Sequence, residues 1–253
     1  MTELSEMTFA EHLEELRWRL IYSIAAILIT TLVAFIFSEN ILKLLVLPSG
    51  GLQLKAFNLM DGFMIKWNIA LITGVALAFP IWGYQLYGFI SAGLFDDERR
   101  SVFPVLCGSL VLFILGVIFG YYLLWGMIRV MRELFPPDIE FMPAADGYIS
   151  FVCFFLLACG IAFQLPTLLV GLVQLRILSA NLLKKQRKLS YFLLFVFAEI
   201  ITPVSDPILA PMTVMVPLII LYEVSIWAAI LIEKRRSNHA ELLSPDTPGV
   251  KSR

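Results

Sequence analysis

The chain has 253 residues, 59% of them hydrophobic and only 15% charged, with a formal net charge of −1. Soluble domains carry roughly 25% charged residues, so this composition excludes a soluble globular domain and indicates a polytopic membrane protein. With the total near zero, the placement of charge along the chain carries the information.

The first residues hold Glu3, Glu6, Glu11, Glu14 and Glu15 in place of a basic n-region, so no early signal peptide is expected. Thr8 and Glu11 have capping-box spacing, and Phe9, Leu13, Leu16 and Leu20 follow at helical intervals. This predicts a short amphipathic surface helix with His12, Glu15, Arg17 and Arg19 on its polar sides. Trp18 suits the headgroup layer. The apolar run continues to Phe37 as a first span of about 18 to 20 residues.

Residues 38–62 form an external segment with Pro48, Gly50 and Gly51 for turns. A second span is expected over residues 63–86, with Lys66 near one end and Pro80 near the other. A charged loop follows, and residues 101–128, free of charge, make a long third span. A second external segment over 129–146 carries Pro136, Pro137 and Pro143. The uncharged stretch 147–175 makes the fourth span, interrupted by Gln164 and Pro166. The fifth span, residues 189–202, is short and contains Glu199. The sixth runs to Ile232, past Pro211, Pro217 and Glu223. Residues 1–235 are thus read as one six-span membrane domain, and 236–253 as a polar, disordered tail.

Lys and Arg fix the orientation. Fourteen fall in the N-terminal segment, the two loops on its side and the tail, against five on the opposite side. Both termini are therefore expected to face the cytoplasm. The loop FISAGLFDDERR then sits on that face, with Asp96, Asp97 and Glu98 in a row before Arg99 and Arg100. Two readings stand side by side: a solvated turn with internal Asp–Arg pairs, or an acidic receptor for a basic ligand.

Catalytic and metal chemistry lack a signal. The two histidines, His12 and His239, lie outside the spans, and no HExxH, GxSxG or P-loop pattern occurs. Cys107, Cys153 and Cys159 fall in apolar runs and read as core or lipid-facing residues. No enzyme activity, cofactor or metal is expected. Polar groups within the spans are the better clue. An amide such as Gln164 needs partners in hydrocarbon, and Glu199 and Glu223 are candidates by virtue of being ionisable there. Each also has a plain reading, a helix–helix hydrogen bond for Gln164 and a wet interface for the two acids.

His12-Leu13-x-Glu15-Leu16-Arg17-x-Arg19 resembles the N-terminal motif of the TatC family, the multi-span receptor of the twin-arginine protein translocase. The likeness continues in order. It runs through Pro48, Phe63-x-x-Lys66, Pro80-x-x-x-Tyr84-Gln85-x-Tyr87-x-Phe89-Ile90, Gly93-Leu94-Phe95 and Glu98-Arg99-Arg100. Further on come Phe113-x-x-Gly116-x-x-Phe119-Gly120-Tyr121, Tyr148-Ile149-Ser150-Phe151, Gly160-x-x-Phe163-Gln164-x-Pro166, Thr202-Pro203 with Asp206, and Tyr222-Glu223.

The resemblance implies an all-α, concave, glove-like bundle of six spans with short fifth and sixth helices, in a bacterial cytoplasmic (inner) membrane. It implies binding of the Arg-Arg pair of signal peptides at Glu15 and Glu98, with Asp97, His12, Arg17, Arg19, Phe89, Phe95, Arg99 and Arg100 around them. Guanidinium forks meeting carboxylates bidentately fit that role. It implies docking of single-span partner subunits of the TatA and TatB type at Gln164, Pro166, Tyr222 and Glu223, and external-loop roles for Pro48 and Asp206. Other copies of the chain and membrane lipid are further expected partners; nucleic acid is not. The family usually has Glu where this chain has Gln164, which cannot titrate. A small-molecule transporter or a membrane scaffold are the rival readings; no internal repeat supports the first, and the second leaves the paired acids unexplained.

Overall fold

The computed structural model describes residues 9–91, 102–133, 136, 142–174, 177–202 and 209–243. Ten α-helices account for nearly all of them: α1 (Phe9–Ile36), α2 (Ser38–Val46), α3 (Asp61–Leu77), α4 (Phe79–Ser91), α5 (Val102–Glu133), α6 (Ala145–Ala162), α7 (Leu165–Gln174), α8 (Ala180–Lys185), α9 (Arg187–Ile201) and α10 (Leu209–Leu243). Four segments are long and apolar enough to cross a membrane: Leu13–Ile36, Val105–Glu133, Ala145–Gln174 and Pro211–Lys234. The bent pair Asp61–Leu77 and Phe79–Phe89 makes a fifth. At 15 residues, α9 reaches only about 22 Å at 1.5 Å per residue, short of a bilayer's roughly 30 Å core.

Three elements differ from the sequence-based expectation. The N-terminal amphipathic segment and the first span are one continuous helix, because no Gly or Pro interrupts Phe9–Ile36. The second span bends by 50° at Ala78. Pro80 lacks an N–H and starts a new helix, while Trp82 Nε1 donates to the Val75 carbonyl at 3.0 Å, filling one acceptor of the broken turn. The last helix continues through polar residues to Leu243.

The described residues group into two compact units, one built on α1–α6 and the other on α7–α10, with Ile201 and Thr202 belonging to the first. In the first unit α1 crosses α3 at Gly74. A Cβ there would lie 2.3 Å from Thr31 Oγ1 and 2.7 Å from the Thr31 backbone. Thr30 Oγ1 donates to the Gly74 carbonyl at 2.8 Å, so the crossing combines a small residue with a polar contact. Helices α5 and α6 approach as closely at Gly116, whose added Cβ would lie 2.6 Å from the Cys159 carbonyl. Phe79 stacks on Phe113 with ring centroids 4.1 Å apart. Asn68 on α3 donates to Ser150 on α6 at 2.8 Å.

The segment from Ser38 to Lys55 is stitched onto this unit. Pro48 is buried in a 3₁₀ turn over Leu47–Ser49, followed by Gly50 in the left-handed region at φ 60°. Arg132 donates to the Ser49 and Gly50 carbonyls at 2.7 and 3.2 Å. Tyr121 and Tyr148 donate their hydroxyls to Leu44 and Leu45 at 3.0 and 3.1 Å. Lys55 bridges to the chain beside Ala144 through backbone bonds to Pro143 and Ala145. Asp61 closes the entry to α3 by accepting from the Phe57 and Asn58 backbone at 2.7 and 2.9 Å. The other expected external-loop residue, Asp206, lies outside the described residues.

Candidate functional site

One polar cluster joins α1 to α4. Glu15 and Arg19 are four residues apart on α1 and so share a helix face. Arg19 Nη2 and Nε donate to the same Glu15 oxygen, Oε1, at 2.6 and 2.9 Å. The third guanidinium nitrogen, Nη1, reaches across to Gln85 on α4, 3.3 Å from its side-chain oxygen and 3.4 Å from its carbonyl. The guanidinium rests on the bare backbone of Gly88, where an added Cβ would stand 2.2 Å from Nη1. Both charged side chains are only 23% exposed. The other Glu15 oxygen, Oε2, is buried and accepts nothing among the described residues.

Of the residues expected around the peptide, this places Glu15 and Arg19 together and Phe89, half-buried, in the last turn of α4. Arg17 is exposed on another side of α1, and His12 lies in the first turn of that helix. Phe95, Asp97, Glu98, Arg99 and Arg100 lie outside the described residues. A guanidinium fork spanning both Glu15 oxygens was expected; Oε1 is already saturated by Arg19, so one oxygen is left. Gln85 and Gly88 carry no charge and drew no role from the sequence. The hints that Gln85 gave are a polar side chain in an apolar run and its place in the motif from Pro80 to Ile90.

The second expected site changes character. Gln164 is tied inside the first unit at both ends of its amide. Ser109 Oγ donates to Oε1 at 2.6 Å, and Nε2 donates to the Ser109 carbonyl at 3.0 Å. The helix–helix hydrogen bond read for Gln164 is present, with Ser109 of α5 at the same depth. Pro166 is the second residue of α7, where its missing N–H costs nothing, and does not break a continuous helix.

Tyr222 and Glu223 are likewise turned to internal partners, within the second unit. Tyr222 is buried; its hydroxyl donates to the Leu183 carbonyl at 2.9 Å and accepts from Ser190 Oγ at 2.9 Å. Glu223 accepts from Arg187 Nη2 and from the Tyr191 hydroxyl, each at 2.6 Å. The bundle itself thus supplies partners to these polar atoms. Glu199 on α9 keeps one buried oxygen, Oε2, without a partner among the described residues. The three cysteines are free thiols, Cys153 and Cys159 buried and Cys107 exposed.

Residues 11–217 match the family model of the Sec-independent protein translocase protein, TatC. The chain belongs to the TatC family. It is 34% identical over 232 residues to the TatC translocase protein of Carboxydothermus hydrogenoformans, covering 90% of this chain and 95% of that one. The TatC protein of Desulforapulum autotrophicum is 33% identical over 245 residues, covering 94% of this chain and 90% of its own. A crystal structure of the twin arginine translocase receptor TatC superposes with a TM-score of 0.77 at 34% identity, covering 87% of this chain and 99% of the other. This is accordingly a multi-pass membrane protein of the Sec-independent translocase and a component of protein transport.

Proposed function

We propose that this TatC-family protein is the signal-peptide receptor of its translocase. It binds the Arg-Arg pair of a signal peptide at cytoplasmic carboxylates, Glu15 and Glu98, with Asp97 adding negative charge. The observation that carries this reading is Glu15. Its Oε2 is a buried, ionisable acceptor that no described group fills, near the N-terminal end of α1. A buried acceptor left unmade is unfavourable, and a cationic donor from outside relieves it.

In this reading both termini face the cytoplasm of a bacterial inner membrane, as the excess of Lys and Arg on that side supports. The short α9 and the 35-residue α10 supply the fifth and sixth spans, and residues 1–235 act as one functional domain. Single-span partner subunits and further copies of the chain assemble around the receptor to pass folded proteins outward. The transmembrane gradient supplies about 2.3 kcal/mol per charge per 100 mV. Membership of the TatC family favours this over a small-molecule transporter or a scaffold.

The test is binding of a labelled Arg-Arg signal peptide to the purified protein. Glu15→Gln and Glu98→Gln should each weaken it by about 1.5 to 3 kcal/mol, the worth of a charged hydrogen bond. Unchanged affinity in both would remove the receptor reading.

A further inference from the structure

We propose that Arg19 is a positioning residue that fixes Glu15, so that the single oxygen Oε2 is presented to a cationic side chain of the bound peptide. The proposal rests on Glu15 being a receptor carboxylate. It adds how that carboxylate is held, by which residues, and what the ligand meets.

The geometry is specific. Nε and Nη2 of Arg19 both end on Glu15 Oε1, at 2.9 and 2.6 Å, so that oxygen has no capacity for a further strong donor. Nη1 is engaged with Gln85, 3.3 Å from its side-chain oxygen. All three guanidinium nitrogens are therefore committed, and none donates to Oε2, which remains buried and unfilled among the described residues. The plane of the guanidinium is in turn set by a slot in α4. A Cβ on Gly88 would stand 2.2 Å from Nη1 and 3.0 Å from Cζ, so any larger residue there would push the guanidinium out of this pose. Two helices thus cooperate to hold one carboxylate in one rotamer with one acceptor open.

Gly88 also separates position from charge. Gly88→Ala leaves Glu15, Arg19 and the net charge in place and moves the guanidinium off its seat. The experiment measures binding of two labelled peptides, one with adjacent Arg-Arg and one with Lys-Lys, to the purified full chain in lipid nanodiscs. Gly88→Ala should weaken the Arg-Arg peptide about tenfold, a step of about 1.4 kcal/mol, and the Lys-Lys peptide less, narrowing the ratio between them. Arg19→Lys, which keeps the charge and loses the fork, should behave the same way. In an Arg19→Gln background, Gly88→Ala should have no further effect.

If Glu15→Gln weakens binding while Gly88→Ala and Arg19→Lys do not, the positioning role is overturned and the receptor site stands. If Glu15→Gln leaves binding unchanged, Glu15 is not a receptor carboxylate and this proposal falls; the receptor reading falls with it only if Glu98→Gln is also without effect. Tighter binding by Gly88→Ala would make Arg19 a competitor for Glu15 and overturn the proposal. So would a Gly88→Ala effect that persists in full without Arg19, since Gly88 would then act through packing alone.

Discussion

Gln164→Leu tests whether the amide in the fourth span is a structural tie. The substitution keeps the side-chain size and removes two hydrogen bonds, the 2.6 Å bond from Ser109 Oγ and the 3.0 Å bond to the Ser109 carbonyl. Hydrogen bonds between helices in membranes average about 0.6 kcal/mol and reach about 1.7, so the pair is worth about 1 to 3 kcal/mol. The lower half of that range is expected, because the freed Ser109 hydroxyl can turn back to a carbonyl of its own helix. Reversible unfolding in mixed micelles, run on wild type, Gln164→Leu, Ser109→Ala and the double variant, reads the coupling directly. The two residues should couple by at least about 0.5 kcal/mol, with partner co-purification little changed. A coupling indistinguishable from zero, together with loss of the partner in Gln164→Leu, would refute the tie and return Gln164 to a docking role. Gln164→Glu keeps both bonds only while its carboxyl carries a proton, since its second oxygen would face the Ser109 carbonyl; it should be less stable than wild type at neutral pH.

Gly74→Ala should destabilise the first unit by about 1 to 3 kcal/mol through overpacking against Thr31; wild-type unfolding of that variant would show that the α1–α3 crossing relaxes freely. Glu223→Gln should loosen α9 from α10 by about 1 kcal/mol, the pair being partly solvated, while leaving the partner bound; hydrogen exchange of α9 amides is the readout. Glu39 is held below its ordinary carboxylate range by the hydrogen bond and then the charge of Lys66. Its contribution is therefore present above the unfolded value and disappears as pH falls through the lower folded one, which an NMR titration of Glu39 checks. The 15-residue α9 should thin the bilayer on its side of the protein; lipid-thickness mapping that finds a normal bilayer there would count against a short fifth span.

The sequence by itself determined the class of protein and most of its apolar helices. These follow from a local quantity, apolar runs long enough to cross hydrocarbon. Glu15 was legible as a polar position of the N-terminal helix, and its expected binding role came from the resemblance to the TatC family. Tertiary structure decided which polar atoms are already spoken for. Ser109 is 55 residues from Gln164 and Gln85 is 66 from Arg19, so neither pairing leaves a trace in any local pattern. Gly88 is the clearest case. Its importance lies in what it lacks, a Cβ that would collide with a guanidinium on another helix, and an absent atom becomes visible only when the two helices are placed side by side. The same holds for Tyr222 and Glu223. Sequence marked them as polar groups in hydrocarbon, and only packing showed that α8 and α9 already satisfy them, because a buried donor or acceptor takes the nearest partner the fold provides.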